Sequence, residues 1–449
     1  MRFFPHTDRD VRAMLEVAGA NDLEGLIHHV PEALRARAAI ALDAGRSELE
    51  VAAMIDALAA RNVARGFASF LGFGAYRHYL PAAVSAIAGR AEFATSYTPY
   101  QAEASQGTTQ AIFEFQTLIT QLTGLEVANA SMYDGASAAA EAVLMAHRIA
   151  PRRTVVALAR ALWPDYRDTI RTYLSAFTDL EIVELPFDSE TGATSIAALE
   201  RIANDRMLCS VIGYPNAFGI VEPLERIAAI TRAAGASTIA VTAEALAMGL
   251  LKSPGDLGAD IAVGEAQSFG IAPSFGGPGV GFMAARLAHL RQMPGRLVGE
   301  THDRDGRRAF CLTLATREQH IRRERATSNI CTNHSLCALA ATAYLAIMGR
   351  RGLRELAALN VETAHRAADT LAATGIGQRF SAPFFNEFVV PVSNLDAALA
   401  RAETVCVIPG VPLGRYWPEL RDNLLISVTE MNDGDQIAKL CGALAAEVR

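Results

Sequence analysis

The most informative part of the sequence is Gly264-Glu265-Ala266-Gln267-Ser268-Phe269-Gly270 with the turn that follows it, Ser274-Phe275-Gly276-Gly277-Pro278-Gly279-Val280-Gly281. Apolar runs at 261–263 and 280–285 flank the stretch, so the pattern predicts a strand, a glycine-rich turn and a second strand. Backbone of this kind leaves N–H groups open to an anionic group or to another backbone. The stretch therefore indicates either a ligand or interface site, or a tight loop without a ligand.

Strand-like and helical patterns alternate around this stretch. Apolar runs predict strands at 154–158, 181–185, 207–213, 238–242, 261–263 and 280–283, with helical segments such as 224–234 between them. This alternation predicts an α/β fold with a doubly wound, mostly parallel sheet covered by helices on both faces. In such sheets ligands bind beyond the carboxyl ends of the strands, which here include residues 214–219, 243–245 and 264–267.

The two ends of the chain predict further parts. Capping sequences begin at Thr7 and Ser47, and apolar residues follow a helical spacing at Val51, Met54, Ile55 and Leu58. After about residue 315 a helical stretch precedes apolar runs at 387–392 and 424–428. We therefore divide the chain into an N-terminal helical arm (1–65), a large α/β domain (66–315) and a small C-terminal α+β domain (316–449).

Composition excludes several classes of function. The chain has 449 residues and a net charge of −7 with both signs interspersed, which does not fit a nucleic-acid-binding protein. The longest apolar stretch, 335–348, is too short to span a bilayer and predicts a buried core helix. Because residues 1–6 lack an apolar signal core, we expect a cytoplasmic protein without a membrane segment.

Cysteine and lysine usage limits the chemistry. The six cysteines are scattered without metal-ligand spacing, so we expect no metal site. Lysine occurs only at Lys252 and Lys439, which leaves two candidates for an amine nucleophile. No lysine follows the glycines of 276–281, and this turn precedes a strand late in the sheet. These two features argue against Walker-type phosphate binding and against a dinucleotide fingerprint.

Two polar and aromatic loops lie before the sheet, at 70–81 and 96–107. Loops of this kind carry function more often than packing. A third segment, 129–141, consists of small residues that open an alanine-rich helix. Its N-terminus could bind an anion through exposed N–H groups, or it could be a cap without a ligand.

Six stretches resemble the P-protein of the glycine cleavage system, namely 97–107, 129–135, 215–222, 274–281, 317–333 and 407–416. The resemblance covers nearly the whole chain and is closest to the first, or alpha, subunit in organisms where the enzyme is split in two. It implies the fold of type I pyridoxal-phosphate enzymes, with a large doubly wound domain of the pyridoxal-phosphate-transferase type and a smaller C-terminal domain.

The resemblance also implies that this chain lacks the Schiff-base lysine. Alignment with the glycine-rich turn of the lysine-bearing subunit places Gln267 at the lysine position, and Glu244 or Ala243 near the acid position. An amide cannot form an imine. Neither Lys252 nor Lys439 is placed to substitute, so pyridoxal phosphate is expected to be held covalently by the partner subunit.

As the resemblance implies, the enzyme is an oxidoreductase whose lysine-bearing beta subunit (subunit 2) and this chain together decarboxylate glycine and pass the aminomethyl group to lipoylated H-protein. A two-plus-two heterotetramer is expected, with no activity from this chain alone. The residues expected to reach cofactor or substrate across the subunit boundary are Tyr97, Thr98, Tyr100, Gln101, Ser105 and Gln106. Gly276 and Gly277 are expected to approach the partner's phosphate, and Tyr76 and His78 to line the entrance.

Two alternatives from other classes stay open at this point. One is a self-sufficient pyridoxal-phosphate lyase or transaminase that uses Lys252. The other is a non-catalytic scaffold that only stabilises its partner.

Overall fold

A computed structural model describes residues 5–38 and 42–445 of the chain. The chain divides into two compact units, Met1–Arg65 and Gly66–Arg449. Each unit is described by itself below.

The first unit is helical, as predicted. Its helices are α1 (Asp8–Ala18), α2 (Leu23–Leu26), α3 (Glu32–Ala38) and α4 (Glu48–Ala60). Both predicted capping signals are confirmed: the side chains of Thr7 and Ser47 each accept a hydrogen bond from the backbone three residues on, and Asp10 and Glu50 bond back to the cap. Four apolar residues of α4 that follow the helical spacing are between 41% and 53% exposed, namely Val51, Met54, Ile55 and Leu58.

The second unit contains a central sheet, a small sheet and a hairpin. Its strands in chain order are β1 (Ala68–Ser69), β2 (Val127–Ala128), β3 (Val155–Ala159), β4 (Glu181–Leu185), β5 (Met207–Gly213), β6 (Ser237–Thr242), β7 (Ile261–Glu265), β8 (Gly281–Ala285), β9 (Leu297–His302), β10 (Arg308–Thr313), β11 (Glu387–Pro391), β12 (Val407–Ile408), β13 (Val411–Pro412) and β14 (Asn423–Ser427). Its helices are α5 (Ala82–Ala88), α6 (Ala91–Ala94), α7 (Gln106–Thr123), α8 (Gly135–Ile149), α9 (Pro164–Leu174), α10 (Ile196–Ile202), α11 (Leu224–Ala233), α12 (Gln319–Arg322), α13 (Ser335–Ala373), α14 (Leu395–Thr404) and α15 (Gly434–Ala445).

The central sheet has seven strands in the order β2-β8-β7-β6-β5-β3-β4. Strands β3 to β7 pair in parallel, whereas β8 runs antiparallel to β7 and β2 runs antiparallel to β8. Every residue of β3, β5 and β7 is buried, which is why these strands read as continuous apolar runs rather than alternating ones. The predicted mostly parallel α/β sheet is confirmed.

The hairpin of β9 and β10 was not predicted. Its strands pair antiparallel from Leu297–Thr313 to His302–Arg308. Leu297, Val298 and Phe310 are buried, whereas residues 300–302 and Arg308, at the turn end of the hairpin, are exposed. The sequence there lacks a continuous apolar run, so periodicity alone does not identify it.

The predicted core helix at 335–348 is confirmed as the first part of α13. The helix begins at Ser335 and its helical geometry is interrupted at Gly349, where φ is 59° and ψ is 177°. Within the described ranges, no helix is long and apolar enough to cross a membrane.

The C-terminal region is a mixture of helix and antiparallel strand. Strands β11, β14 and β13 form a small antiparallel sheet, and α14 and α15 contact each other beside it. Strand β12 pairs in parallel with β1, which ties the start of this unit to its C-terminal part.

Candidate functional site

A cleft of about 500 Å³ lies where β7 ends. Its walls are the loop at 72–75, the start of α8, the start of α9 and the glycine-rich turn at 272–279, together with His334. Residues 264–281 therefore lie at the carboxyl edge of the sheet, where proteins of this architecture bind their ligands.

Gln267 lines this cleft, and its amide is fully engaged within the chain. Its Oε1 accepts a hydrogen bond from the backbone N–H of Tyr76 at 2.9 Å, and its Nε2 donates to the Tyr76 carbonyl at 3.1 Å and to the carbonyl of Ile271. The side chain thus joins the 70–81 loop to the glycine-rich turn. An amide is not a nucleophile, and this one is held in a structural role.

Glu265 forms the buried floor of the cleft, although its role was not predicted. Its carboxylate accepts hydrogen bonds from the backbone N–H groups of Gly135 at 3.1 Å and Val280 at 2.6 Å. Burial raises the pKa of Glu265 to about 7. A side-chain carbon at Gly279 would approach this carboxylate to 2.7 Å, so the glycine of the turn makes room for the acid.

The N-terminus of α8 is capped by the side chain of Asp134. The Asp134 carboxylate accepts a hydrogen bond from the N–H of Ser137 at 2.7 Å, and the N–H of Gly135 already donates to Glu265. Of the two alternatives for this segment, the cap without a ligand agrees with these bonds, because a carboxylate occupies the position where an anion would bind.

The cleft does not fit pyridoxal phosphate. Carboxylates of Asp134, Asp165 and Glu265 line it, and no lysine or arginine does among the described residues. A phosphate needs cationic or N–H donors rather than three acids. Among the described residues, the lining of the cleft therefore offers neither the amine nor the positive charge that this cofactor requires.

Lys252 lies elsewhere. It lines a separate groove beside the kink of α13, its side chain is 54% exposed, and its Nζ is 3.6 Å from Glu225. It does not line the cleft at β7. This position argues against the alternative in which Lys252 forms a Schiff base.

Tyr76 and His78 do not line an entrance, so that prediction is wrong. Tyr76 is fully buried and donates from its hydroxyl to Glu387 at 2.8 Å. The side chain of His78 is 4% exposed and lies between the carboxylates of Glu244, at 3.0 Å, and Glu430, at 2.9 Å. These buried acids hold the two rings inside the protein.

The two carboxylates stabilise the protonated form of the buried His78 imidazole. Burial alone would lower the pKa of its imidazole, but Glu244 and Glu430 outweigh burial and raise that pKa to about 10. Burial would raise the pKa of Glu430, yet its bond to His78 lowers it to about 2. The Glu244 carboxylate also accepts from Asn386 at 3.2 Å and does not line the cleft, so it is part of this buried cluster.

An arginine that was not predicted holds the 97–106 loop. Arg296 donates to the Thr98 hydroxyl and to the Tyr100 hydroxyl, both at 3.2 Å, and its guanidinium lies over the Tyr100 ring at 5.3 Å. The Arg296 side chain is 3% exposed, and its Nε is 3.7 Å from Glu318. A buried arginine therefore fixes two of the predicted site residues.

The other predicted residues of this loop differ in exposure. Tyr97 is 83% exposed, Gln101 is exposed and Ser105 is half-buried. The amide of Gln106 is occupied, because its Nε2 donates to the Phe310 carbonyl at 2.8 Å and its Oε1 accepts from the Phe310 N–H at 2.9 Å. Gln106 therefore joins the start of α7 to β10.

Gly276 and Gly277 lie at the tip of the glycine-rich turn. Both have positive φ, 96° and 158°, and a side-chain carbon on Gly276 would meet no atom within 4 Å. The neighbouring Phe275 is 99% exposed. The backbone of this tip is open to a group that comes from outside the chain.

The sheet order, with its antiparallel edge, and the smaller C-terminal α+β region define the class as fold type I of the pyridoxal-phosphate-dependent enzymes. A sphingosine-1-phosphate lyase of Burkholderia pseudomallei K96243 shares this fold, with a TM-score of 0.66 and 15% identity over 90% of this chain and 92% of that one. The model of the glycine cleavage system P-protein matches residues 1–444. The chain belongs to the glycine cleavage system P-protein family.

Closer relatives agree with this assignment. A crystal structure of glycine decarboxylase (P-protein) of the glycine cleavage system, in inhibitor-bound form, superposes with a TM-score of 0.89 and 40% identity over 99% of both chains. The probable glycine dehydrogenase (decarboxylating) subunit 1 of Anaeromyxobacter dehalogenans (strain 2CP-C) is 49% identical over 99% of this chain and 100% of that protein.

Proposed function

We propose that this chain is the non-aldimine subunit of a glycine decarboxylase and completes a cofactor site that its partner holds. The observation that carries the proposal is Gln267, whose amide is saturated by backbone in a cleft lined by carboxylates. The relatives are called subunit 1, a name that presupposes a second subunit. Pyridoxal phosphate and its lysine belong to that second subunit.

The complete enzyme decarboxylates glycine and transfers the aminomethyl group to lipoylated H-protein. Its partners are thus the beta subunit (subunit 2), glycine and H-protein. This chain contributes a wall of the shared site rather than the reacting amine.

The 97–106 loop supplies that wall. Its hydroxyl and amide groups are candidates for contacts with cofactor or substrate across the boundary, at Tyr97, Thr98, Tyr100, Gln101, Ser105 and Gln106. Support comes from the exposure of Tyr97 and from the way Arg296 orients Thr98 and Tyr100. The Gln106 amide also fixes the end of the loop to β10 through its two hydrogen bonds to the Phe310 backbone.

The glycine-rich tip supplies a second contact. Gly276 and Gly277 have no side chain, and the space at Gly276 is open, so a phosphate on the partner subunit can approach the backbone. Because the phosphate is negatively charged, its approach requires that no negatively charged side chain lie at the tip of the turn.

Gly276→Asp tests this contact in the assembled complex. We expect the complex to bind pyridoxal phosphate about tenfold more weakly, because a carboxylate placed within a few ångströms of the phosphate costs about 1–2 kcal/mol. The measurement is a titration of the cofactor-free complex, followed by absorbance, with assembly checked by gel filtration.

Gly306→Asp is the matched control. Gly306 also has positive φ, 80°, and open space around its position, but it lies in the turn between β9 and β10. Equal cofactor affinity of the two variant complexes would remove Gly276 from the site.

A further inference from the structure

We propose that the cleft at the end of β7 is a binding site for a small organic cation, in particular a primary ammonium group. This site is formed by residues of the chain itself and adjoins the contact proposed for the partner's phosphate, because Gly276 and Gly277 line one side of the same cleft. The cleft is lined by carboxylates, whereas a phosphate-bearing cofactor needs positively charged or N–H donor groups.

The first argument is charge. The Glu265 carboxylate lies in the floor, and Asp134 and Asp165 are exposed at the cleft. No arginine or lysine side chain lines the cleft in the ranges that the structure describes. The acids therefore lack a counter-charge there, and a bound cation would supply it.

The second argument is an unsatisfied hydroxyl. Tyr166 lines the cleft, is 4% exposed, and its hydroxyl makes no hydrogen bond within residues 5–38 and 42–445. The hydroxyl lies against Gly135, the first residue of α8, where a side-chain carbon would collide with it. The side chain is buried but its hydroxyl opens into the cleft, so the hydroxyl is available to hydrogen-bond a ligand bound there.

The third argument is the aromatic wall. Phe73 and Tyr133 line the cleft together with Tyr166. Aromatic faces attract organic cations, and carboxylates beside them strengthen the attraction. Among the described residues no group of acids, histidines and cysteines could hold a metal ion, and a cleft of about 500 Å³ suits an organic molecule better.

Isothermal titration calorimetry of the full chain tests the proposal with three probes. We expect benzylammonium to bind with a dissociation constant of about 1 mM or lower. Benzoate, which matches it in size but carries the opposite charge, and pyridoxal phosphate should give no heat of binding at the same concentrations. Binding of benzoate or pyridoxal phosphate as tight as that of benzylammonium would overturn the proposal.

Two conservative variants locate the site. Asp165→Asn removes one exposed charge and should weaken benzylammonium binding about tenfold, and Tyr166→Phe should weaken it about fivefold. The control is Asp168→Asn, because Asp168 lies on the same helix and pairs with Arg171 rather than lining the cleft. The thermal unfolding temperature confirms that each variant is folded. Unchanged affinity in both cleft variants would contradict the assignment.

Discussion

Replacing His78 with alanine is expected to lower the free energy of unfolding by about 3–5 kcal/mol, because it leaves two buried carboxylates without their cation. Both acids contact the imidazole directly, with Glu244 Oε2 at 3.0 Å and Glu430 Oε2 at 2.9 Å, and their side chains are 3% and 8% exposed. Chemical denaturation followed by circular dichroism measures the loss. Arg351→Ala serves as the control, since its exposed ion pair with Glu355 contributes about 0.5 kcal/mol or less.

The stabilisation by His78 depends on pH in a defined direction. The folded-state pKa of His78 is raised to about 10, above its ordinary value of about 6.5, so its contribution is complete below about pH 6.5 and is lost as the pH rises through about 10. The pKa of Glu430 is lowered to about 2, so its contribution is lost as the pH falls through about 2. The difference between wild type and His78→Ala should therefore be larger at pH 6 than at pH 10. A cost no greater than that of Arg351→Ala at pH 6 would show that the cluster does not stabilise the fold.

Arg296→Met is expected to lower kcat/KM for glycine decarboxylation by the assembled complex about 100-fold, because the 97–106 loop loses the group that orients it. The substitution removes hydrogen bonds to Thr98 and Tyr100 and the cation over the Tyr100 ring. The effect should lie mainly in kcat, since positioning acts on the reacting complex. Arg308→Met is the control, because Arg308 lies over Phe310 at 4.9 Å and does not contact this loop.

A second variant distinguishes the loss of the loop's hydrogen bonds from a loss of stability at the Arg296–Glu318 ion pair. Arg296 also lies 3.7 Å from the buried Glu318, so its removal takes a cation away from that acid and can affect stability as well as the loop. The double substitution Thr98→Val with Tyr100→Phe removes the two hydroxyls and keeps that ion pair. If both variant complexes assemble and turn over glycine like wild type, the chain is a scaffold rather than a wall of the site.

Most of the predicted strands were predictable because they are buried on both faces, whereas β4 is only partly buried. Each of the six predicted strands is present, with ends within two residues of the expected ones. A continuous apolar run such as that of β5 indicates a strand that is buried on both faces. The hairpin of β9 and β10 has no continuous apolar run. Exposed charged residues such as Arg308 pair with other exposed residues across its two strands.

Side-chain partners distant in sequence were not predictable. The glycine-rich turn pointed to Gln267, but the Tyr76 backbone that holds its amide lies 191 residues away. His78 was expected at an entrance because its loop is polar and aromatic, whereas its two acids lie 166 and 352 residues away. Arg296 belongs to none of the quoted stretches, and only its contacts with Thr98 and Tyr100 reveal it.

We propose that the coenzyme is bonded covalently to the partner subunit and not to this chain. The most direct measurement is borohydride reduction of the assembled, cofactor-loaded complex, followed by mass spectrometry of the separated polypeptides. We expect the mass of a reduced pyridoxyl group on the partner and none on this chain. A pyridoxyl group on Lys252 or Lys439 would contradict the account.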